Sequence, residues 1–357
     1  MRGRRPEKSA ARGLTIALVL TLAPGCASHI LLGAFDEQEG GTGDGRPDAG
    51  AVADSGTVPD AGPDGGPLGD AGLPPDGTTG DPCADYAAEL CALEQSCNLT
   101  VFRNAFWGDP TICKERRKIR CTLRLTAPGS NETPARVSAC VAALSKYTCD
   151  DYADEAKTRE ICDAPPGNLG DGAPCGVGAQ CRGQGCFPPD NAACGVCTTL
   201  SPLGAPCNAS CQYGIQCLNS TCVAYLREGD ACRFGSPLCA FGLACLGAGS
   251  GQGKCGKRLG LGAPCDPSAF ECNDGEGLSC SGATNRCQAD PGLPAAGAPC
   301  WGQSCRADAW CNTANSRCEA KRREGEPCGN SASAPECLQP ATCIGTTCVL
   351  PNPSGCR

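Results

Sequence analysis

Gly262-Ala263-Pro264-Cys265, followed by Gly277-Leu278-Ser279-Cys280 and then by Cys287, is one copy of a pattern written six times in this chain. The other copies open with Gly172-Ala173-Pro174-Cys175, Gly204-Ala205-Pro206-Cys207, Gly229-Asp230-Ala231-Cys232, Gly297-Ala298-Pro299-Cys300 and Gly325-Glu326-Pro327-Cys328. Their first cysteines are 32, 25, 33, 35 and 28 residues apart, so loop length drifts while cysteine order is kept. The second signature recurs in Gly214-Ile215-Gln216-Cys217 and Gly242-Leu243-Ala244-Cys245. One aliphatic residue per unit is enough to pack on sulfur and little more. Such units are too small to fold by burial alone, and turn residues between the cysteines predict loops and short two-stranded ribbons.

Copies two to six carry four cysteines each. These are Cys207, Cys211, Cys217 and Cys222; Cys232, Cys239, Cys245 and Cys255; Cys265, Cys272, Cys280 and Cys287; Cys300, Cys305, Cys311 and Cys318; and Cys328, Cys337, Cys343 and Cys348. The first copy has five, at Cys175, Cys181, Cys186, Cys194 and Cys197, and Cys356 follows the last. The two odd cysteines pair with each other, or Cys356 pairs inside the last unit with some pairing across unit boundaries; a linear array would hold its ends apart, and the spacing leaves both open. The units are expected to stack or string end to end, as an elongated rod or a loosely jointed chain.

The whole chain has 357 residues and 35 cysteines, the density of a disulfide scaffold. Aromatics are 4%, while Gly numbers 49 and Pro 30, so a single large core is not expected. Thiols in such number would stay reduced in the cytosol, which places the mature chain in an oxidising compartment. The net charge of −8 is unevenly spread. Residues 1–13 are strongly basic and residues 36–81 strongly acidic, leaving the remainder almost neutral. Nothing there steers the folded part to nucleic acid.

The N-terminus reads as an export signal. Arg2, Arg4, Arg5, Lys8 and Arg12 form a basic region, and Leu14 to Ala23 an apolar run too short to span a membrane. Leu22-Ala23-Pro24-Gly25-Cys26 resembles a bacterial lipobox, which makes Cys26 the expected lipidation site. The alternative is an ordinary signal peptide cut near Ala27. From Asp36 to Asp81 the chain collapses to Gly, Asp, Ala and Pro with no apolar period, as in Pro47-Asp48-Ala49-Gly50 and Pro59-Asp60-Ala61-Gly62. Such a segment is expected to stay disordered and act as a tether. It lacks the regular acidic alternation of a calcium loop.

Residues 83–162 are different in kind. Cys83, Cys91, Cys97, Cys113, Cys121, Cys140, Cys149 and Cys162 sit in segments of helical composition. Cys83 and Cys91 are spaced i, i+8, with Tyr86, Leu90 and Leu93 near the same stripe, and Cys113 and Cys121 repeat the spacing. Thr133-Pro134 is a helix start for Ala135 to Tyr147, and Asp150 to Arg159 adds a short fourth helix. The expectation is a disulfide-locked helical bundle whose pairing is one of about 105. The run from Lys114 through Arg116, Arg117 and Lys118 to Arg120 reads as the solvated face of its helix rather than a phosphate or polysaccharide site.

The expected fold class is therefore small and disulfide-rich: a disordered acidic linker, a disulfide-locked α-helical module, then a tandem array of short cysteine-rich repeats with little regular secondary structure. The boundaries are 1–26 for the signal peptide, 27–81 for the linker, 82–165 for the helical module and 170–357 for the array. Within the array the units fall at about 172–200, 204–223, 229–256, 262–288, 297–319 and 325–357.

Chemistry finds few footholds. The single histidine, His29, lies beside the lipobox-like segment, which removes Ser/His/Asp and Cys/His catalysis. Asp274 and Glu276 would be solvated and poorly fixed on a short loop. Cys194-Gly195-Val196-Cys197 has the spacing of a thiol oxidoreductase or half a zinc knuckle, but a Gly/Pro-rich setting favours structural disulfides. Asn98, Asn131, Asn208 and Asn219 begin Asn-x-Ser/Thr triplets, which in a eukaryote would be glycan acceptors and in a bacterium arise by chance. Trp301 and Trp310 are more readily packed on local disulfides than offered as a contact spot.

The Gly-x-x-Cys, Gly-Leu-x-Cys and closing Cys of each unit resemble the cysteine-rich repeats termed Dickkopf N-terminal-like. The complete layout, from Cys26 through the Asp/Ala/Gly spacer and the eight-cysteine module to Cys356, is similar to that of myxobacterial secreted cysteine-rich lipoproteins. The resemblance carries no binding residue to this chain. The expectation is a non-enzymatic exported protein with a binding or structural role, without cofactor or catalytic residue. Its partners would be a protein or a surface polysaccharide, and the membrane through an N-terminal lipid anchor; its place the outer membrane or cell surface, or else the medium. Two further readings are a disulfide-stapled protease inhibitor presenting Arg182, Arg233 or Arg306, and a thiol redox protein using Cys194 and Cys197.

Overall fold

The computed structural model describes residues 80–356 apart from 154–160, 189–191, 208–210, 213, 234–237, 248–250, 301–303 and 330–333. Cys26, His29, Asn208, Trp301 and the acidic spacer up to residue 79 lie outside the described residues.

Helices come first. Helix α1 spans Pro82–Cys97, a short α2 spans Leu99–Val101 and runs into a π-helical turn at Phe102–Phe106, α3 spans Pro110–Thr126, α4 Pro134–Leu144 and α5 Cys149–Ala153. Three of them begin on the same device, a capping side chain followed by proline. Asp81 accepts from the Cys83 and Ala84 amides, Asp109 from those of Thr111 and Ile112, and Thr133 from that of Arg136. The Asp81 carboxylate also meets Lys118 Nζ at 2.7 Å; that hydrogen bond, together with the cap amides, lowers its pKa.

The i, i+8 cysteine pairs explain how α1 and α3 meet. Cys83 is bonded to Cys121 and Cys91 to Cys113, so the two helices run antiparallel with both staples on facing stripes. Cys97–Cys149 ties the end of α1 to α5, and Cys140–Cys162 fastens α4. Tyr86, Leu90, Leu93, Val137 and Leu144 are packed among these sulfurs. A buried leucine is worth about 2 kcal/mol, and closing a 22-residue loop about 3 kcal/mol. Four crosslinks therefore rival the apolar core of this module.

The strands are short: β1 (Pro174–Cys175), β2 (Gln184–Phe187), β3 (Gly195–Thr199), β4 (Ile215–Leu218), β5 (Thr221–Ala224), β6 (Ala231–Cys232) and β7 (Leu243–Leu246). They continue as β8 (Gly253–Lys257), β9 (Leu278–Ser281), β10 (Arg286–Ala289), β11 (Ala309–Asn312), β12 (Arg317–Ala320), β13 (Thr342–Ile344) and β14 (Thr347–Val349). They pair only within their own repeat, as antiparallel ribbons of two or three strands. This is the disulfide-rich class with little regular structure that the composition implies.

One construction serves all six repeats. The third and fourth cysteines stand opposite each other on the ribbon, as Cys217 does to Cys222 and Cys280 to Cys287. The first cysteine bonds the third and the second bonds the fourth: Cys207–Cys217 with Cys211–Cys222, and Cys265–Cys280 with Cys272–Cys287. Cys232–Cys245, Cys239–Cys255, Cys300–Cys311, Cys305–Cys318, Cys328–Cys343 and Cys337–Cys348 follow the same rule. The first repeat follows it too, with Cys175–Cys186 and Cys181–Cys197, once Cys194 is set aside.

The opening glycine now has a physical reason. In every repeat its amide donates to the carbonyl of the fourth cysteine, whose own amide donates to the residue after the glycine; Gly262 N to Cys287 O is 2.8 Å and Cys287 N to Ala263 O is 2.9 Å. Holding both bonds while turning the next two residues back over the ribbon requires a left-handed backbone. The six opening glycines have φ between 79° and 89°, a region that side chains other than glycine rarely adopt.

An end-to-end string is overturned. Cys194 is bonded to Cys356, joining the first repeat to the segment after the last. Five of the six repeats, or residues flanking them, also touch the helical module. Gln180 donates to Pro128 O at 2.9 Å, and the Phe241 and Tyr152 rings meet edge to face at 5.5 Å. Asn104 donates to Asp290 at 3.1 Å just past the fourth repeat, Ala307 N to Arg103 O at 3.4 Å, and Arg116 to Glu324 at 2.6 Å. The sequence gives no periodic mark for such long-range docking; it depends on single polar side chains.

Candidate functional site

Two features go beyond unit-by-unit stapling: the basic run of α3 and the joint where the array closes. Both are built from polar residues held inside the protein.

The basic run is not a solvated face. Arg116 is fully buried and Arg117 is 5% exposed, which reverses the expectation for this stretch. Arg117 follows Cys113 by four residues and precedes Cys121 by four, so the α3 stripe facing α1 necessarily includes it. There it makes a short ion pair with Glu94 of α1. Glu94 also accepts from Trp107 Nε1 at 3.2 Å, and the Arg117 and Arg120 guanidinium carbons lie 5.1 and 5.3 Å from the Trp107 ring centroid. Burial alone would lower the Arg117 pKa, but the Glu94 charge outweighs it and the net shift is upward. A charge removed from water in this way holds only while its partner stays.

The neighbouring stripe of α3 receives the sixth repeat. Arg116 bonds Glu324 at 2.6 Å, Arg120 bonds Gln339 at 2.7 Å, and Glu115 makes a short contact with Arg323. Burial pushes the Glu324 carboxyl up, but the Arg116 hydrogen bond and charge prevail and its pKa is lowered. The run is thus a docking spine with helix on one side and repeat on the other.

The closure joint centres on Gln180, 1% exposed. Its Oε1 accepts from Gly176 N at 2.7 Å and Val177 N at 3.2 Å; its Nε2 donates to Pro128 O at 2.9 Å and Pro353 O at 3.3 Å. One amide therefore joins the first repeat, the α3–α4 loop and the C-terminal segment. The fit is close: a Cβ on Gly176 would stand 2.6 Å from Pro353 Cα.

Other expected residues fare differently. Trp310 is buried at 3% exposure. Asp274 is largely buried rather than solvated; desolvation raises its pKa against the pull of Arg258 at 3.1 Å, while Glu276 is exposed. The two carboxylates do not form an acid/base pair. Cys194 and Cys197 are bonded to Cys356 and Cys181, not to each other, so the redox reading of this motif is overturned. Groups of three sulfurs within 4.8 Å, such as Cys175, Cys181 and Cys186, are bonded cystine sulfurs rather than thiolate ligands. Arg306 is folded back on Asp308 by two bonds of 2.7 and 2.6 Å, whereas Arg182 and Arg233 are exposed. Asn98 is buried and Asn131 donates to Pro166 O at 2.6 Å.

Among the described residues no helix is long and apolar enough to cross a membrane. Crosslinking of this density is the mark of an extracellular protein. Comparison with protein-family models, curated proteins and solved structures finds no match to this chain.

Proposed function

We propose that this chain is a non-enzymatic, exported cysteine-rich protein that acts at the cell surface by binding a protein or polysaccharide or as a structural element, held there by lipid on Cys26. The observation that carries the reading is the state of the cysteines. Every one from Cys83 to Cys356 is in a disulfide, so none in that stretch is left as a nucleophilic or metal-binding thiolate. A covalently closed frame surrenders little entropy when it binds, which suits a preorganised recognition surface. The lipobox-like segment at Cys26 and the acidic spacer after it, read from the sequence, are the ground for placing it there.

The test has two arms. Cells expressing the chain are labelled with palmitate beside a Cys26→Ala variant, and intact cells are shaved with protease. Label on the parent alone and loss of the protein on shaving support the reading; equal labelling refutes the anchor, and survival in intact cells refutes the surface location.

A second reading is favoured by one detail. Arg182 is exposed on a turn that begins at the fully buried Cys181, the rigid presentation that a protease inhibitor needs. Inhibition of an arginine-specific serine protease that vanishes in Arg182→Ala would establish it, and a flat response across serine and cysteine proteases would remove it.

A further inference from the structure

Sixteen of the disulfides are local, joining residues 10 to 52 apart in sequence. Cys194–Cys356 spans 162. Cys194 is also surrounded by wrong partners: Cys197 is three residues on, and Cys186 stands directly opposite Cys197 on the β2–β3 ribbon. Chains emerge from synthesis at about 5–20 residues per second. Cys194 therefore waits on the order of 10–30 s for Cys356, while its false partners are present from the start. Disulfides form and reshuffle over seconds to hours, so a false bond has time to form. The local pairs raise the same difficulty on a smaller scale, because first-to-third and second-to-fourth pairing is never the order in which cysteines appear.

We propose that maturation of this chain requires a disulfide isomerase, and that Cys194 is the principal sulfur it corrects. The exchange is redox-neutral. The isomerase thiolate attacks Cys194 Sγ in a Cys194–Cys197 bond, forming a mixed disulfide and releasing Cys197 as thiolate. The Cys356 thiolate then attacks Cys194 Sγ, forming the native bond and expelling the isomerase thiolate. One S–S bond breaks and one forms; the proton lost by Cys356 is taken up by Cys197. Cys197 is then free for Cys181, its partner in the structure, through the thiol oxidase of the compartment. The Gln180 joint supplies the recognition that makes the outcome final, since it seats Pro353 against the first repeat only when the tail is home.

The experiment exports the full chain in two bacterial hosts that share a thiol oxidase and differ in an isomerase, and maps the disulfides by non-reducing peptide mass spectrometry. Without isomerase, Cys194 is expected with Cys197 or Cys186, and the Cys194–Cys356 peptide falls at least about fivefold, the ratio of pairings open to five cysteines against four. An equal yield of that peptide in both hosts overturns the proposal. A Cys194→Ser, Cys356→Ser double variant retains all sixteen local bonds. Its Cys175–Cys186 and Cys181–Cys197 pairs should depend on the isomerase several-fold less than those of the parent; undiminished dependence would overturn the assignment to Cys194.

Discussion

The side-chain amide of Gln180 donates to the carbonyl of Pro353 at 3.3 Å, across 173 residues of sequence. Together with the neighbouring Cys194–Cys356 bond, this contact turns a row of independently stapled repeats into a closed one.

Gln180→Ala should weaken that closure more than its size suggests. It strips partners from two half-buried amides and two carbonyls, of which the Pro353 contact is the fully buried one, and a group left unpaired away from water costs about 1–3 kcal/mol. The Gly176 and Val177 amides should lose hydrogen-exchange protection while the Gly262 amide in the fourth repeat keeps its own. Unchanged protection at Gly176 would show that the joint is held by the disulfide alone.

The Glu94–Arg117 pair predicts an asymmetry between single and double replacement. Arg117→Met leaves Glu94 buried without its counter-charge and should cost about 3–5 kcal/mol, whereas Glu94→Leu with Arg117→Met should recover most of the loss. Chemical denaturation with the disulfides intact, followed by tryptophan fluorescence in a chain that keeps Trp107 and carries Trp301→Phe and Trp310→Phe, measures both.

The opening glycines can be tested against a neighbour. A Cβ on Gly262 meets nothing within 4 Å, so Gly262→Ala tests backbone strain alone; at φ of +79° it should cost about 1–2 kcal/mol. Gly260 is equally open but has no left-handed φ, and Gly260→Ala should be neutral or slightly stabilising. Thermal unfolding of the two variants side by side gives the comparison.

Acid should loosen the sixth repeat from α3. The folded pKa of Glu324 is depressed, so its contribution is present above the ordinary value of 4.5 and is lost as pH falls through the lower folded value. An NMR titration of the Glu324 carboxyl should give a midpoint below 4.5, and Arg116→Gln should move it back up. A midpoint at or above 4.5 in the parent would contradict the docking.

Much of this fold can be read from local spacing. The Thr133-Pro134 helix start, the i, i+8 cysteines and the six Gly-x-x-Cys openers each act within a few residues, and each has the local structure its chemistry implies. What escapes is whatever depends on a distant partner. The run from Lys114 to Arg120 looks solvated when charge is counted, yet Arg117 lies on the same stripe as Cys113 and Cys121, and that spacing was the available signal. Arg116 has no such mark, because Glu324 is more than two hundred residues away. Cys194 and Cys356 could be recognised as odd ones out, but whether they meet is decided by Gln180 and Pro353, which no periodicity singles out.

Disulfides in a fixed pattern, closed by Cys194–Cys356, hold this protein in shape. Non-reducing peptide mapping of the native protein, after alkylation of any free thiol, tests it most directly. First-to-third and second-to-fourth pairs in all six repeats, a Cys194–Cys356 peptide and no alkylated cysteine between Cys83 and Cys356 are expected. Alkylated cysteines in that stretch, or Cys356 bonded within the last repeat, would contradict it.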